Sequence, residues 1–136
     1  MDVLGAIGRT ASSGMQAQSE RLQIIAENMA NAESTGSTSG ADPYRRRLVT
    51  FGALVDESTG ATLVEVHDVT DDPAPFRLRL DPSHPAADEK GYVKMPNVDP
   101  LIELANMREA ARSYEANLNM LETGRQMRSQ IIDMLG

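Results

Sequence analysis

Residues 20–36 read ERLQIIAENMANAESTG. Leu22, Ile25 and Met29 follow one another at spacings of three and four, the period of an amphipathic helix. The pattern then gives way to small and polar residues. Asn28 and Asn31 stand just before the change, although asparagine is a mediocre helix former. Going back toward the N-terminus, Met15, Leu22 and Met29 recur every seven residues, and so do Leu4, Ala11, Gln18, Ile25 and Ala32. Together they form the a and d columns of a heptad seam, made imperfect by Gln18 and Gly8. Gly5, Gly8 and Gly14 each weaken a helix by about 1 kcal/mol relative to alanine. The spacing predicts a helix over 3–33, about 31 residues and roughly 46 Å long. It is ended by STGSTSGADP (34–43), where Gly36 supplies a cap region and Pro43 blocks renewed helix.

The other end of the chain mirrors this. Asp99-Pro100 is an N-cap followed by proline at the first helical position, and Glu103 favours the helix dipole. Leu104, Met107, Ala111, Tyr114, Leu118 and Leu121 keep an a/d pattern. Arg125 and Arg128 interrupt it, and a drift to Met127, Ile131 and Met134 carries the apolar stripe onward. The predicted helix has about 35 residues, roughly 52 Å.

The residues between have β character. YRRRLVTF (44–51) and ATLVEVHDV (61–69) flank the turn signal DESTG (56–60), which reads as a β-hairpin; FRLRL (76–80) is a further short strand. The expected fold is therefore mainly α with a small β insertion. Long N- and C-terminal helices pack antiparallel as a coiled-coil-like pair, with the hairpin region between them. The expected division is 1–35 for the N-terminal helix, 36–98 for the loop and hairpin insertion, and 99–136 for the C-terminal helix, which forms one structural unit with the first. Spare apolar residues outside the seams, Ile7, Ile24, Ile102, Met120 and Met134, argue for association with other chains.

Bulk properties narrow the function. The 136 residues suit one domain, and the formal charge of −7 disfavours nucleic acid as a partner. The middle of the chain carries most of that excess. With no cysteine there is no disulfide, thiolate catalysis or cysteine-based zinc site. No run of 18 apolar residues predicts a transmembrane helix, and MDVLGAIGRTASSGM does not read as a cleavable secretory signal.

Catalytic chemistry finds no support. His67, Asp68, Asp71, Asp72, Asp81, His84, Asp88 and Glu89 crowd one region, but no metal-binding spacing is present and prolines mark it as loop. The glycines do not form a phosphate loop. Neither catalytic residues, metal nor cofactor are assigned. The triplet Arg45–Arg46–Arg47 is suited to phosphates, lipid headgroups or acidic neighbours; the simpler reading is cross-strand or intermolecular pairing with carboxylates such as Glu65 and Asp68.

Three segments resemble the flagellar basal-body rod family. SGMQAQSERLQIIAENMANAESTG (13–36) resembles its N-terminal motif, a helix ending in A-E-N-x-A-N-A followed by T and G. GYVKMPNVDP (91–100) resembles the approach to the last helix in proximal rod members, and ELANMREAARSYEANLNMLETGRQM (103–127) resembles the C-terminal rod helix with its A-x-R-x-Y-x-A-N core. The resemblance covers almost the whole chain. Departures are the intervening 37–43 before Tyr44, and Asp99 where relatives often carry asparagine. The resemblance implies a non-enzymatic structural subunit of the proximal rod. It would assemble helically into the periplasmic drive shaft that transmits torque and surrounds the export channel. The implied partners are other rod subunits, further copies of the chain, the basal-body adaptor protein and the flagellar export apparatus, with export needing no cleavable signal. A soluble helical adaptor or export chaperone is the alternative that would use the same faces.

The residues expected at subunit contacts are Met15, Leu22, Ile25, Asn28, Met29 and Asn31 on the first helix. On the last they are Leu104, Met107, Ala111, Tyr114, Asn117, Leu118 and Leu121. For Asn28 and Asn31 two readings stand: local helix-ending chemistry, or amides bonded to a neighbouring helix or loop where packed subunits exclude water.

Overall fold

The computed structural model describes residues 3–136; residues 1 and 2 of the expected 1–35 segment lie outside the described residues. The order of elements is α1 (Val3–Ala30), β1 (Arg47–Val55), β2 (Thr62–Asp71), β3 (Arg77–Leu80), β4 (Tyr92–Met95) and α2 (Pro100–Leu135). Two long helices thus bracket two small sheets, β1–β2 and β3–β4.

The single hairpin region expected from the sequence is two sheets. β1 and β2 form the hairpin, closed where Asp56 N–H donates to the Ala61 carbonyl at 2.8 Å and Gly60 N–H to the Asp56 carbonyl at 2.7 Å. Gly60 has φ +70°, a conformation that costs glycine nothing. β3 starts one residue later than expected and pairs antiparallel with β4, Leu80 opposite Tyr92 and Arg77 opposite Met95. The sequence reading assigned β4 no element. Its four residues are too few to show a period, and Gly91 and Pro96 on either side read as breakers.

α1 ends at Ala30, three residues before the expected boundary. Asn31 explains the ending. Its N–H donates to the Glu27 carbonyl at 3.0 Å, its side-chain amide donates to the same oxygen at 2.9 Å, and its Oδ1 accepts from the Ser34 hydroxyl at 2.9 Å. This is local side-chain capping, the competition with helix that asparagine is suited to. The loop then returns, and Tyr44 N–H donates to the Ser34 carbonyl at 2.9 Å. Gly36 permits that return: a Cβ there would lie 2.4 Å from Ala41 Cβ. Gly36→Ala is expected to destabilise the chain by about 1–3 kcal/mol through overpacking. The measurement is a lower urea midpoint with an unchanged slope; an unchanged midpoint would contradict it.

The chain divides into two compact units, one comprising residues up to Leu22, Val49–Asp68 and Arg108–Gly136, the other Gln23–Leu48 and Val69–Met107. In the first unit α1 and α2 run antiparallel, as Gly8 meets Leu121, Gly14 meets Asn117 and Arg21 reaches Glu109. The hairpin lies along α1 there: Thr10 Oγ1 donates to the Thr62 carbonyl at 3.0 Å, and Ser13 Oγ accepts from Val64 N–H at 3.0 Å. In the second unit Val93 and Met95 of β4 pack with Ala86 as a small apolar core.

Candidate functional site

The two helices present different faces to their own chain and to solvent. On α1 the buried residues are Ala11, Gly14, Ala17, Ile25 and Asn28, continued past the helix by Ala32. The column Ala11–Ile25–Ala32 is the expected one. Its companion is Gly14 and Asn28, one position before the expected Met15, Leu22 and Met29, which are half-buried. α2 shows the same offset. Met107, Tyr114 and Leu121 are half-buried, and beside them run Glu103, Ala110, Asn117 and Gly124. Leu104, by contrast, is 37% exposed, and Ala111 and Leu118 are half-buried. In the first compact unit the fully buried helical positions are small, Ala11, Gly14, Ala17 and Ala110, which lets the helix backbones approach closely. The larger apolar columns are displaced toward the open side.

That open side is extensive. Leu101 and Ile102 are exposed at the start of α2, and Met120, Met127, Ile131, Ile132, Met134 and Leu135 along the rest of it, with Met134 at 85%. Monomeric proteins rarely leave so long an apolar stripe in water. Among the described residues no helix is long and apolar enough to cross a membrane.

The polar residues of the expected set have local partners. Asn117 donates from its side chain to the Ser113 carbonyl at 2.9 Å and lies over Gly14, where a Cβ would come within 2.8 Å of it. Asn28, 1% exposed, is engaged within its own chain. Its Oδ1 accepts from the Tyr44 hydroxyl at 2.6 Å and from Arg47 N–H at 3.0 Å, and its Nδ2 donates to the Arg47 carbonyl at 2.9 Å. The carboxamide binds both peptide groups of Arg47 as a neighbouring strand would. Of the two readings of its amide, the structure shows a loop of its own chain as the partner, through Tyr44 and Arg47.

The arginine triplet pairs with carboxylates, as expected, and among the described residues these are Glu27, Asp72 and Glu103. Arg45 donates to the Asp72 and Ala74 carbonyls at 2.8 and 3.0 Å and stacks over Phe76, its guanidinium carbon 4.1 Å from the ring centroid. Arg47 pairs with Glu27 at 3.0 Å. Arg46 pairs with Asp72 at 3.1 Å and, through Nε, with Oε1 of Glu103. Asn97 completes the cluster, accepting from Arg46 N–H at 2.7 Å and donating to the Asp72 carbonyl at 3.1 Å. Glu103 is fully buried, and its second oxygen has no hydrogen-bond partner among the described residues. Burial alone would lower the Arg46 pKa, but the hydrogen bonds to Glu103 and Asp72 hold it above its ordinary value. Burial raises that of the Tyr44 hydroxyl.

Asp72 is held below the ordinary carboxylate range, chiefly by the Ala74 N–H it accepts and then by Arg46. A depressed folded pKa means stability that is present above the unfolded value, about 3.9, and lost as pH falls through the lower folded value. The denaturant midpoint is therefore expected to fall as pH is lowered below about 4, with a shallower fall in Asp72→Asn. Equal acid sensitivity in the two proteins would contradict this.

The acidic loop holds no gathered ligand set; among the described residues no three His, Asp or Glu side chains come together as a metal site. His84 is a loop brace. Its Nδ1 accepts from Ala86 N–H at 2.9 Å and its Nε2 lies 3.2 Å from the Thr35 hydroxyl.

An arrangement of long helices with large apolar residues left exposed along them, joined by a β insertion, is suited to packing against further helices. Similarity to known proteins agrees. A family model described as "Flagella basal body rod protein" matches residues 9–36, and one described as "Flagellar basal body rod FlgEFG protein C-terminal" matches residues 89–134. The chain is 51% identical over 135 residues to the flagellar basal-body rod protein FlgC of Agrobacterium fabrum, covering 99% of this chain and 97% of the relative. It is 44% identical over 117 residues to the FlgC of an Escherichia coli O6:H1 strain (86% and 87% covered). To that of Aquifex aeolicus it is 41% identical over 119 residues (87% and 86% covered). Identity of this degree, running through both helices and the insertion between them, makes the chain a member of the flagellar basal body rod protein family.

Proposed function

We propose that the chain is a structural subunit of the proximal rod of the bacterial flagellar basal body. In this reading it stacks helically with copies of itself and with other rod subunits into a drive shaft. The shaft transmits torque across the periplasmic space and surrounds the export channel. The helices over 1–35 and 99–136 act together as a coiled-coil-like pair that packs against neighbouring subunits, and 36–98 forms the outer insertion. The basal-body adaptor protein is a further neighbour, and the flagellar export apparatus delivers the chain without a cleavable signal. Met15, Leu22, Met29, Leu104, Ala111 and Leu118 are the contact columns; Ile25, Met107, Tyr114 and Leu121 support them from the inner side. Asn28 and Asn31 shape the end of α1, and Asn117 seats over Gly14.

The observation that carries this reading is the displaced apolar columns, left uncovered on a chain whose family builds the rod. A helical assembly needs heterologous contacts, and two differently composed faces provide them. The test is fractionation of a motile strain carrying a tagged chain. The tag is expected in purified basal bodies, and deletion is expected to give cells without rods or motility, restored by the intact gene. A tag found only in soluble fractions, with motility retained in the deletion, would overturn the proposal.

A further inference from the structure

Residues 48–55 read LVTFGALV, a mostly apolar run with no charge and no proline. They make up most of β1, whose one strand neighbour among the described residues is β2. A two-stranded sheet has two outer edges, and this chain treats them differently. The β2 edge is occupied by α1, where Thr10 Oγ1 donates to the Thr62 carbonyl and Ser13 Oγ accepts from Val64 N–H. The β1 edge is open. Peptide groups along a strand alternate between its two edges. Asp56 N–H is bonded across the hairpin to the Ala61 carbonyl, so even-numbered residues of β1 face β2 and odd-numbered ones face outward. Arg47 conforms, since both its peptide groups go to Asn28 rather than to β2. Val49, Phe51, Ala53 and Val55 therefore direct N–H and C=O groups outward, and no bond to them is present there among the described residues. Phe51, Leu54 and Val55 are exposed. Proteins blunt such an edge with a charge, a proline or a covering element, and residues 48–55 have none of these.

A row of outward peptide groups is satisfied by another strand. Among the strands of this chain, β2 is occupied on its outer edge, and β3 and β4 have four residues each. The strand that matches the open edge in length is β1 of a second copy. It matches in register as well. Antiparallel pairing of two β1 strands about Gly52 sets Val49 opposite Val55 and Phe51 opposite Ala53. Every outward residue then meets an outward residue, and each such pair exchanges both of its N–H···O bonds. The cross-strand pairs are apolar, with no like charges opposed. A shift of two residues either leaves Val49 unpaired or sets Val55 against Arg47, whose peptide groups Asn28 already holds.

We propose that β1 is a self-pairing edge, through which two free copies of the chain join along residues 49–55 into one four-stranded sheet. The pairing is a property of the free chain and does not rest on the rod reading. Its consequence draws on that reading. An antiparallel pair of identical strands is two-fold symmetric, whereas subunits stacked along a shaft all point the same way. The pair is thus a state of the unassembled chain, covering the edge until assembly separates the copies.

The absence of cysteine allows a direct test. In this register Thr50 of one copy stands opposite Leu54 of the other, with Cα atoms about 4.5 Å apart, within disulfide range. Two Thr50 positions, or two Leu54 positions, are roughly 14 Å apart. Full-length Thr50→Cys and Leu54→Cys chains are mixed in equal amounts and mildly oxidised. The mixture is expected to give about tenfold or more crosslinked dimer than either chain alone. Adding Ala53→Pro to both chains is expected to remove that product, because the Ala53 N–H faces outward and the hairpin tolerates its loss while the pairing does not. Sedimentation of the unsubstituted chain is expected to show a dimer that grows with concentration. A mixture that crosslinks no better than its separate components overturns the proposal, as does undiminished crosslinking in folded Ala53→Pro chains or a chain that stays monomeric. Should circular dichroism show Ala53→Pro unfolded, the mixing result decides alone. These measurements use the purified chain, so their failure is distinct from failure of the rod reading, which is judged in cells.

Discussion

Arg46→Met is expected to cost about 3–5 kcal/mol of folding stability. The side chain itself is not the reason: at 18% exposed it adds modest apolar contact. The cost lies in what it leaves behind. Glu103 would keep a buried carboxylate with no partner on either oxygen, and Asp72 would lose one of the groups that stabilise its charge. The double substitution Arg46→Met with Glu103→Leu removes the stranded charge together with its partner, and is expected to recover most of the loss. Urea denaturation of the two single variants and the double variant closes the cycle. If the two single losses simply add, the ion pair is not the coupled unit described above.

That coupled unit is what the sequence concealed. Glu103, four residues after an Asp-Pro helix start, has a complete local explanation in the helix dipole, and nothing near it hints at burial. Its partner Arg46 lies 57 residues away, inside a basic triplet that alternates along a strand and reads most simply as surface. Periodicity reports which residues are apolar, not what covers them. For that reason the two long helices, the column Met107–Tyr114–Leu121 and the buried Ile25 were legible, while the inner column was misplaced by one position. Gly14 and Asn28 occupy it because the chain's own packing there favours close approach and a satisfied amide over apolar bulk. Asn31 is a different case: helix-ending chemistry was one of its two readings, and its hydrogen bonds to Glu27 and Ser34 are of that kind. The β3–β4 sheet was half visible, since β3 alternates and β4 is too short to do so.

The displaced columns make a sharper prediction about assembly. Leu118 lies beside the inner face of α2, half-buried, one position past Asn117. Leu118→Asp is expected to leave the free chain helical and within about 1 kcal/mol of its original stability, because water still reaches the position. The same carboxylate at a packed subunit contact would be buried without a partner, a penalty of several kcal/mol at every repeat of the assembly. Cells carrying the variant are therefore expected to export the chain but to lack rods and motility. Leu22→Asp on α1 is expected to behave alike. Ala110→Asp is the contrasting case: at 0% exposed within the chain itself, it is expected to unfold the isolated protein. The three variants separate intrachain packing from subunit packing, since circular dichroism reads the first and motility the second. Normal motility in Leu118→Asp would remove that column from the subunit contact, and loss of helix in the isolated variant would place it in the chain's own core.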